Sequence, residues 1–358
     1  MRGKKLIYLV AVLVVVVALI IVGNQLGKKT PSEKELKFFP GLTEQTIGSI
    51  TIHEGSNVVK VRRKGDVWVV SKPSTSADEK AEVNTPHLGM DSVKAPVKET
   101  LKDDESVEYP VDSASIASAL EKITAIKKDA LISENPEKQS IFEVDSGKGL
   151  LVEVADNSGK SAGSIIIGKS GADWNSNYIR FKGSNSVYMS SGGARSSFFT
   201  DLKRWRNKSI LKFDKTTAKG ITLAKRDSGM ITLAQADTGT PWKIIEPIEN
   251  PAKTDAVDGL LDKLAMLNAT DFQDDVLPDT ATGFDNPELG VTVSFKNGSS
   301  RNVIFGKKNS DNKYYVKTDG KDQVFLVADY SFNQINKKLD DLKGEPLVKS
   351  LDVDSLKK

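Results

Sequence analysis

The chain has 358 residues, with 51 Lys and Arg against 48 Asp and Glu, 38% hydrophobic residues, two His and no Cys. That is an ordinary globular composition with length for roughly two domains, each able to bury its own core. Without Cys there can be no disulfide, thiolate nucleophile, Cys-ligated zinc or iron–sulfur site, or acylated lipoprotein Cys, and His53 and His87 are too few for a multi-histidine metal or haem site.

Residues Leu6 to Val22 form an unbroken apolar run without a charge or a helix breaker. As a helix it spans about 25 Å, and Gly23 to Leu26 complete a membrane crossing. Arg2, Lys4 and Lys5 precede the run and Lys28 and Lys29 follow it, a small bias toward a cytoplasmic N-terminus, and the N-terminal position of the segment, that of an export signal, decides for export of everything downstream. The run exceeds a signal-peptide core and no small-x-small site follows closely, so an uncleaved signal anchor is expected over residues 1–29, with a charged tether over 30–46. These five cations account for the basic excess of the whole chain. The exported part is near neutral, which argues against nucleic-acid binding.

The exported part repeats itself. Trp68-Val-Val-Ser-Lys-Pro73 returns as Trp242-Lys-Ile-Ile-Glu-Pro247. Helical patterns follow at Ile116, Leu120, Ile123 and Ile126, and at Val257, Leu260, Leu261, Leu264 and Leu267. Phe142 matches Phe284, Ile165-Ile-Ile-Gly-Lys169 matches Val303-Ile-Phe-Gly-Lys307, and Tyr178-Ile-Arg180 matches Tyr315-Val-Lys317. Closing stripes match as Phe198, Leu202 and Trp205 with Ile335, Leu339 and Leu342, and Ile210-Leu211 is set beside Leu347-Val348.

The expected fold class is therefore α+β: an N-terminal transmembrane helix, then two tandem repeats of antiparallel sheet plus helices over 47–213 and 218–348, and a tail over 349–358. Strands are predicted at Ser49–His53, Val58–Arg62 and Val67–Val70, and again at Gly220–Ala224, Met230–Ala234 and Trp242–Ile245. The first helix lies 33 residues further from its Trp than the second does, which places an insertion at about 74–109. This stretch is polar and acidic, and its Asp103, Asp104 and Glu105 are candidates for partner contact.

Gly163-Ser-Ile-Ile-Ile-Gly-Lys-Ser170 has the spacing of a phosphate-binding loop but not its context. The apolar strand lies inside the motif, and loop-like text follows where a helix should start, so no nucleotide site is expected. No Gly-x-Ser-x-Gly elbow accompanies the histidines, and the acids at Asp271, Asp274, Asp275 and Asp279 lack calcium-loop spacing. No catalytic, metal or cofactor residue is assigned. Trp68, Trp242 and the Trp205 of Lys203-Arg-Trp-Arg206 read as packing residues of the repeat. Trp174 and Tyr178, on a loop-to-strand edge, are the candidates for ligand or partner contact.

The N-terminal anchor, Phe38-Phe-Pro-Gly-Leu42, Ile50-Thr-Ile52, Gly65-Asp-Val-Trp-Val69, the Ile-Gly-Lys and Tyr-Ile-Arg pair and the closing helix together resemble an uncharacterised repeat family. Its members are membrane-anchored exported bacterial proteins often encoded beside gliding-motility-type ABC transporters. The resemblance spans Leu36 to Val348. It implies a non-catalytic auxiliary protein, anchored in the inner membrane through residues 6–22 and facing the periplasm, whose partners are an ABC permease and its exported companion subunit. An envelope module that binds a glycan, peptide or lipid is the alternative.

Overall fold

The computed structural model describes residues 36–73, 107–145, 147–237 and 239–345, which form two units, one ending at Arg206 and the other starting at Asn207. The Leu6–Val22 run, His87 and the acidic Asp103–Glu105 group lie outside the described residues. Among the described residues no helix is long and apolar enough to cross a membrane.

The first unit opens with a meander of β1 (Ile47–Glu54), β2 (Asn57–Lys64) and β3 (Val67–Ser71), extended by the two-residue β4 (Tyr109–Pro110). Gly55 and Gly65 take left-handed backbone in the tight turns, as hairpins of this length require. Helix α1 (Ser113–Ala125) then crosses the sheet to the far edge strand β5 (Ala130–Ser133). The chain returns through β6 (Leu150–Asp156), β7 (Ser161–Ser170), β8 (Ser176–Phe181) and β9 (Val187–Ser191), and closes with a 3-10 turn at Ala194–Ser197 and α2 (Leu202–Trp205). The sheet order is β4-β3-β2-β1-β6-β7-β8-β9-β5, antiparallel throughout.

The second unit repeats this order: β13-β12-β11-β10-β15-β16-β17-β18-β14. Its strands are β10 (Ala218–Lys225), β11 (Gly229–Ala234), β12 (Lys243–Glu246), β13 (Asn250–Pro251), β14 (Asp271–Gln273), β15 (Leu289–Phe295), β16 (Ser300–Lys308), β17 (Lys313–Thr318) and β18 (Lys321–Ala328). The helices are α3 (Thr254–Ala265), α4 (Asp279–Thr282), α5 (Asp329–Ile335) and α6 (Leu339–Leu342). Residues 247–249 suffice to join β12 to β13, whereas residues 72–108 stand between β3 and β4.

Alternation of side chains puts one face of each sheet against its helices. In β1 the core residues are Ile50 and Ile52, in β10 Ile221 and Leu223, all fully buried. Helix α1 begins where the Asp112 carboxylate accepts the Ser115 N–H at 2.9 Å, and it buries Ile116, Ala119, Leu120 and Ile123 on one stripe. Helix α3 buries Val257, Leu260, Leu261 and Leu264 in the same way. The meander strands and the two amphipathic helices predicted after them thus form, whereas each predicted closing helix is split, into the 3-10 turn and α2 in the first unit and into α5 and α6 in the second. Both Trp positions keep a repeated backbone bond. The Trp68 carbonyl accepts the Val111 N–H and the Trp242 carbonyl accepts the Ala252 N–H, each at 3.0 Å.

The start of each copy is also repeated. The Phe38 N–H donates to the Ile126 carbonyl at 3.1 Å, and the Ile210 N–H donates to the Leu267 carbonyl at 2.8 Å. Phe38 and Phe39 enter the first core and Ile210 and Leu211 the second. Ile210-Leu211 therefore opens the second unit, in the place that Phe38-Phe39 holds in the first.

The Gly of the repeated Ile-Gly-Lys text has a steric cause. Gly163 to Ser170 lie within the single strand β7, with Ile165, Ile166 and Ile167 buried, so the phosphate-loop spacing belongs to a core strand. A Cβ at Gly168 would stand 2.1 Å from the Phe142 carbonyl oxygen, and one at Gly306 2.1 Å from the Thr282 carbonyl oxygen. Gly168→Ala and Gly306→Ala are each expected to destabilise the protein by about 2 kcal/mol in urea unfolding. Gly259→Ala in α3, where a Cβ meets nothing within 4 Å, should instead be neutral or stabilising by up to about 1 kcal/mol.

Candidate functional site

The β7–β8 connection carries, on a heavily braced turn, the most exposed aromatic ring among the described residues of the first unit. The Gly171 N–H donates to the Ser176 carbonyl at 2.9 Å, and the Trp174 N–H donates to the Gly171 carbonyl at 3.2 Å. The Asp173 carboxylate accepts from the Ser176 hydroxyl at 2.6 Å and from the N–H groups of Asn175 and Ser176 at 3.2 and 3.0 Å. Those hydrogen bonds, that of the Ser176 hydroxyl first, hold the Asp173 carboxyl below the usual carboxylate range. The Asn175 carbonyl then accepts both Gly192 and Gly193 N–H groups at 2.7 Å, which ties the turn to the loop after β9.

Beneath it, Arg195 links three elements. Its guanidinium donates to the Ile167 carbonyl at 2.7 Å and to the Glu54 carboxylate at 2.6 Å, and its N–H donates to Asn177 Oδ1 at 3.2 Å. The Thr200 hydroxyl reaches the other Glu54 oxygen at 3.3 Å.

On this support Trp174 has φ +58° and an exposure of 86%. A bulky residue in the left-handed region is strained, because its Cβ crowds the following carbonyl. The second unit has Asn312 in the corresponding turn, also at φ +58° and with its N–H on the Asn309 carbonyl at 3.2 Å. Asn is suited to that conformation. Trp174 therefore occupies a costly backbone position, and an indole so exposed gains little burial within the unit to offset the cost.

Tyr178 is placed differently. Its ring packs on Phe142 with centroids 4.7 Å apart, within a small cluster with Val144, Ile166 and Val187 on the sheet face away from the helices. The structure does not join Trp174 and Tyr178 in one aromatic contact.

Among the described residues, His53 and Asp271 enter ion pairs. His53 lies on β1 with Nε2 3.2 Å from Glu153, whose other oxygen accepts from Lys182 at 3.0 Å. Burial raises the Glu153 pKa, but Lys182 and His53 outweigh it and the net direction is down. Asp271 pairs with Lys313 at 3.2 Å, and among the described residues no group of three or more His, Asp and Glu could hold a metal ion. Trp205 is fully buried with its indole N–H on the Phe199 carbonyl at 2.9 Å, while Arg204 covers the Phe199 ring and Arg206 the Tyr109 ring.

A tandem duplication of one antiparallel α+β unit, with an aromatic residue raised on a braced turn in the first copy only, is the class of protein defined by these features. The chain belongs to the family described as a domain of unknown function, DUF4340, whose profile matches residues 104–281 and again residues 242–358. The two matches begin just ahead of β4 and of β13, near corresponding places in the two copies. The chain matches no curated protein and no solved structure.

Proposed function

We propose that this protein is a non-catalytic docking component of the cell envelope, anchored in the inner membrane by Leu6–Val22 and auxiliary to an ABC-type transport system. Trp174 carries the reading: a rigidly presented, strained and exposed Trp is the side chain that gives the most binding energy when a partner desolvates it. The apolar run, the two basic clusters flanking it and the resemblance to exported, transporter-associated repeat proteins support the location. Asp103, Asp104 and Glu105 are the second contact in this proposal, offering negative charge to a basic patch on the same partner.

In-cell crosslinking of the full-length protein, followed by purification from membranes, tests it. Recovery of a permease and its exported companion subunit is expected, and Trp174→Asn should reduce it about tenfold or more. The same substitution relieves the backbone and is expected to raise stability by about 1 kcal/mol, so loss of the partner would not arise from misfolding. Equal recovery by the unaltered protein and by the Trp174→Asn variant would remove Trp174 from the contact.

A further inference from the structure

The second unit differs from the first at one end of the sheet, beneath the closing helices. Strand register sets Ile221 of β10 at the place of Ile50 in β1, because Ile50 pairs with Val154 and Val61 as Ile221 pairs with Val293 and Leu233. Lys225 therefore stands where the first unit has Glu54, at the end of the strand and on the core-facing parity. The closing segments correspond as Phe198 with Ile335 and Leu202 with Leu339, which puts Phe332 in the place of Arg195 and Asn336 in the place of Phe199.

In the first unit this space is occupied and satisfied. Glu54 is paired with Arg195 and Thr200, and the Phe199 ring packs on Trp205 with centroids 4.4 Å apart. In the second unit the exchange to Lys225 and Asn336 removes both the ion pair and the ring. A cavity of about 430 Å³ lies there, walled on its apolar side by Met230, Ile231, Pro247 and Leu339. That is a size suited to a small ligand.

Two of its lining groups lack partners. Lys225 is half-buried, and its ammonium makes no hydrogen bond or ion pair among the described residues. Burial pushes it below the usual lysine range. Asp341, whose charge reaches it, already accepts the Lys338 backbone N–H at 2.8 Å. The acids at the rim, Asp227 and Glu288, are held by Arg226 at 3.3 and 2.8 Å. The Asn336 Oδ1 is buried without a donor, a state that native proteins rarely leave unresolved. Lys338 adds a second cation to the lining.

We infer that this cavity binds a small carboxylate bearing an N–H donor on the neighbouring carbon and an apolar side chain, the chemistry of a free apolar amino acid or of a peptide's C-terminal residue. The carboxylate is received by Lys225 and Lys338, the N–H by Asn336 Oδ1, and the side chain by the Met230, Ile231 and Leu339 wall. The site is separate from the Trp174 turn, and its success or failure is independent of the docking role.

Calorimetric titration of the full-length protein in detergent tests it with L-leucine, glycyl-L-leucine and glycyl-L-leucinamide. Leucine, glycyl-leucine or both are expected to bind, with the leucinamide, which lacks the carboxylate, weaker by about tenfold or more. Binding of leucine alone identifies a free amino acid, and binding of the dipeptide alone identifies a peptide end. Lys225→Met should weaken the bound probe by about tenfold or more. Asn336→Phe, which installs the first unit's residue, should abolish binding while keeping a cooperative melt. It decides the matter alone if Lys225→Met does not fold. Absence of heat with both carboxylate probes up to about 10 mM, or binding unchanged in Asn336→Phe, overturns the assignment.

Discussion

Replacing Trp205 by alanine is expected to lower the unfolding free energy of the first unit by about 4 kcal/mol, measured by urea denaturation with fluorescence or circular dichroism. The indole is completely buried, lies 4.4 Å from the Phe199 ring, and has its N–H satisfied by the Phe199 carbonyl. Truncation leaves a cavity in the core of the first unit and strips the part-buried Phe199 carbonyl of this donor. Trp205→Leu should cost about half as much, since Leu342 fills the corresponding place in the second unit and is likewise fully buried. Trp174 makes the contrast: a residue of the same type, 86% exposed, whose replacement is expected to spare stability and impair only binding. An equal loss of stability at both positions would contradict this division between a packing Trp and a contact Trp.

The repeat was legible because its markers are imposed by backbone geometry. The Trp68 and Trp242 carbonyls each accept the N–H of the residue that follows a short edge strand, and Gly168 and Gly306 each lie under a carbonyl that admits no Cβ. Such constraints preserve residue type between copies, so the order of elements could be read from the text. The far-edge strands could not. Ala130–Ser133 is only four residues long, exposes Leu131 and Ile132, and shows no alternation, since it forms by pairing with β9 from a distant part of the chain. Ile210-Leu211 was misleading for a related reason: two apolar residues after a closing helix look like its end, and only their hydrogen bonds to Leu267 reveal them as the start of the next unit. The cavity beside Lys225 was invisible because it joins residues 225 and 336 through strand register and helix packing. Its signal was present as a difference between copies, Glu54 to Lys225 and Phe199 to Asn336, and such exchanges become meaningful only when the neighbours are known.

Arg180→Met is expected to cost about 3 kcal/mol, although it replaces a charged residue with an apolar one of similar length. Arg180 is 9% exposed and forms no ion pair among the described residues. Its guanidinium donates instead to three backbone carbonyls: Val144 at 2.6 Å, Phe181 at 3.2 Å and Ser184 at 3.1 Å. Burial lowers its pKa, opposed by the charge of Asp145, and guanidinium is weakly hydrated enough to remain charged there. Methionine would fill the space and strip the Val144 and Ser184 carbonyls of their donor, while the Phe181 carbonyl keeps the Ser184 N–H at 3.1 Å, and the Val144 cluster that seats Tyr178 would loosen with them. Arg180→Lys should recover less than half of the loss, because one ammonium cannot span the same fork of acceptors. The matching residue of the second unit, Lys317, works through a different contact: it pairs with Asp279 at 2.8 Å with 40% of its side chain exposed, so Lys317→Met should cost below about 1 kcal/mol. The same turn-and-strand text thus carries a buried structural cation in one copy and a solvated ion pair in the other. Near-equal losses for Arg180→Met and Lys317→Met would show that the guanidinium's backbone contacts contribute little.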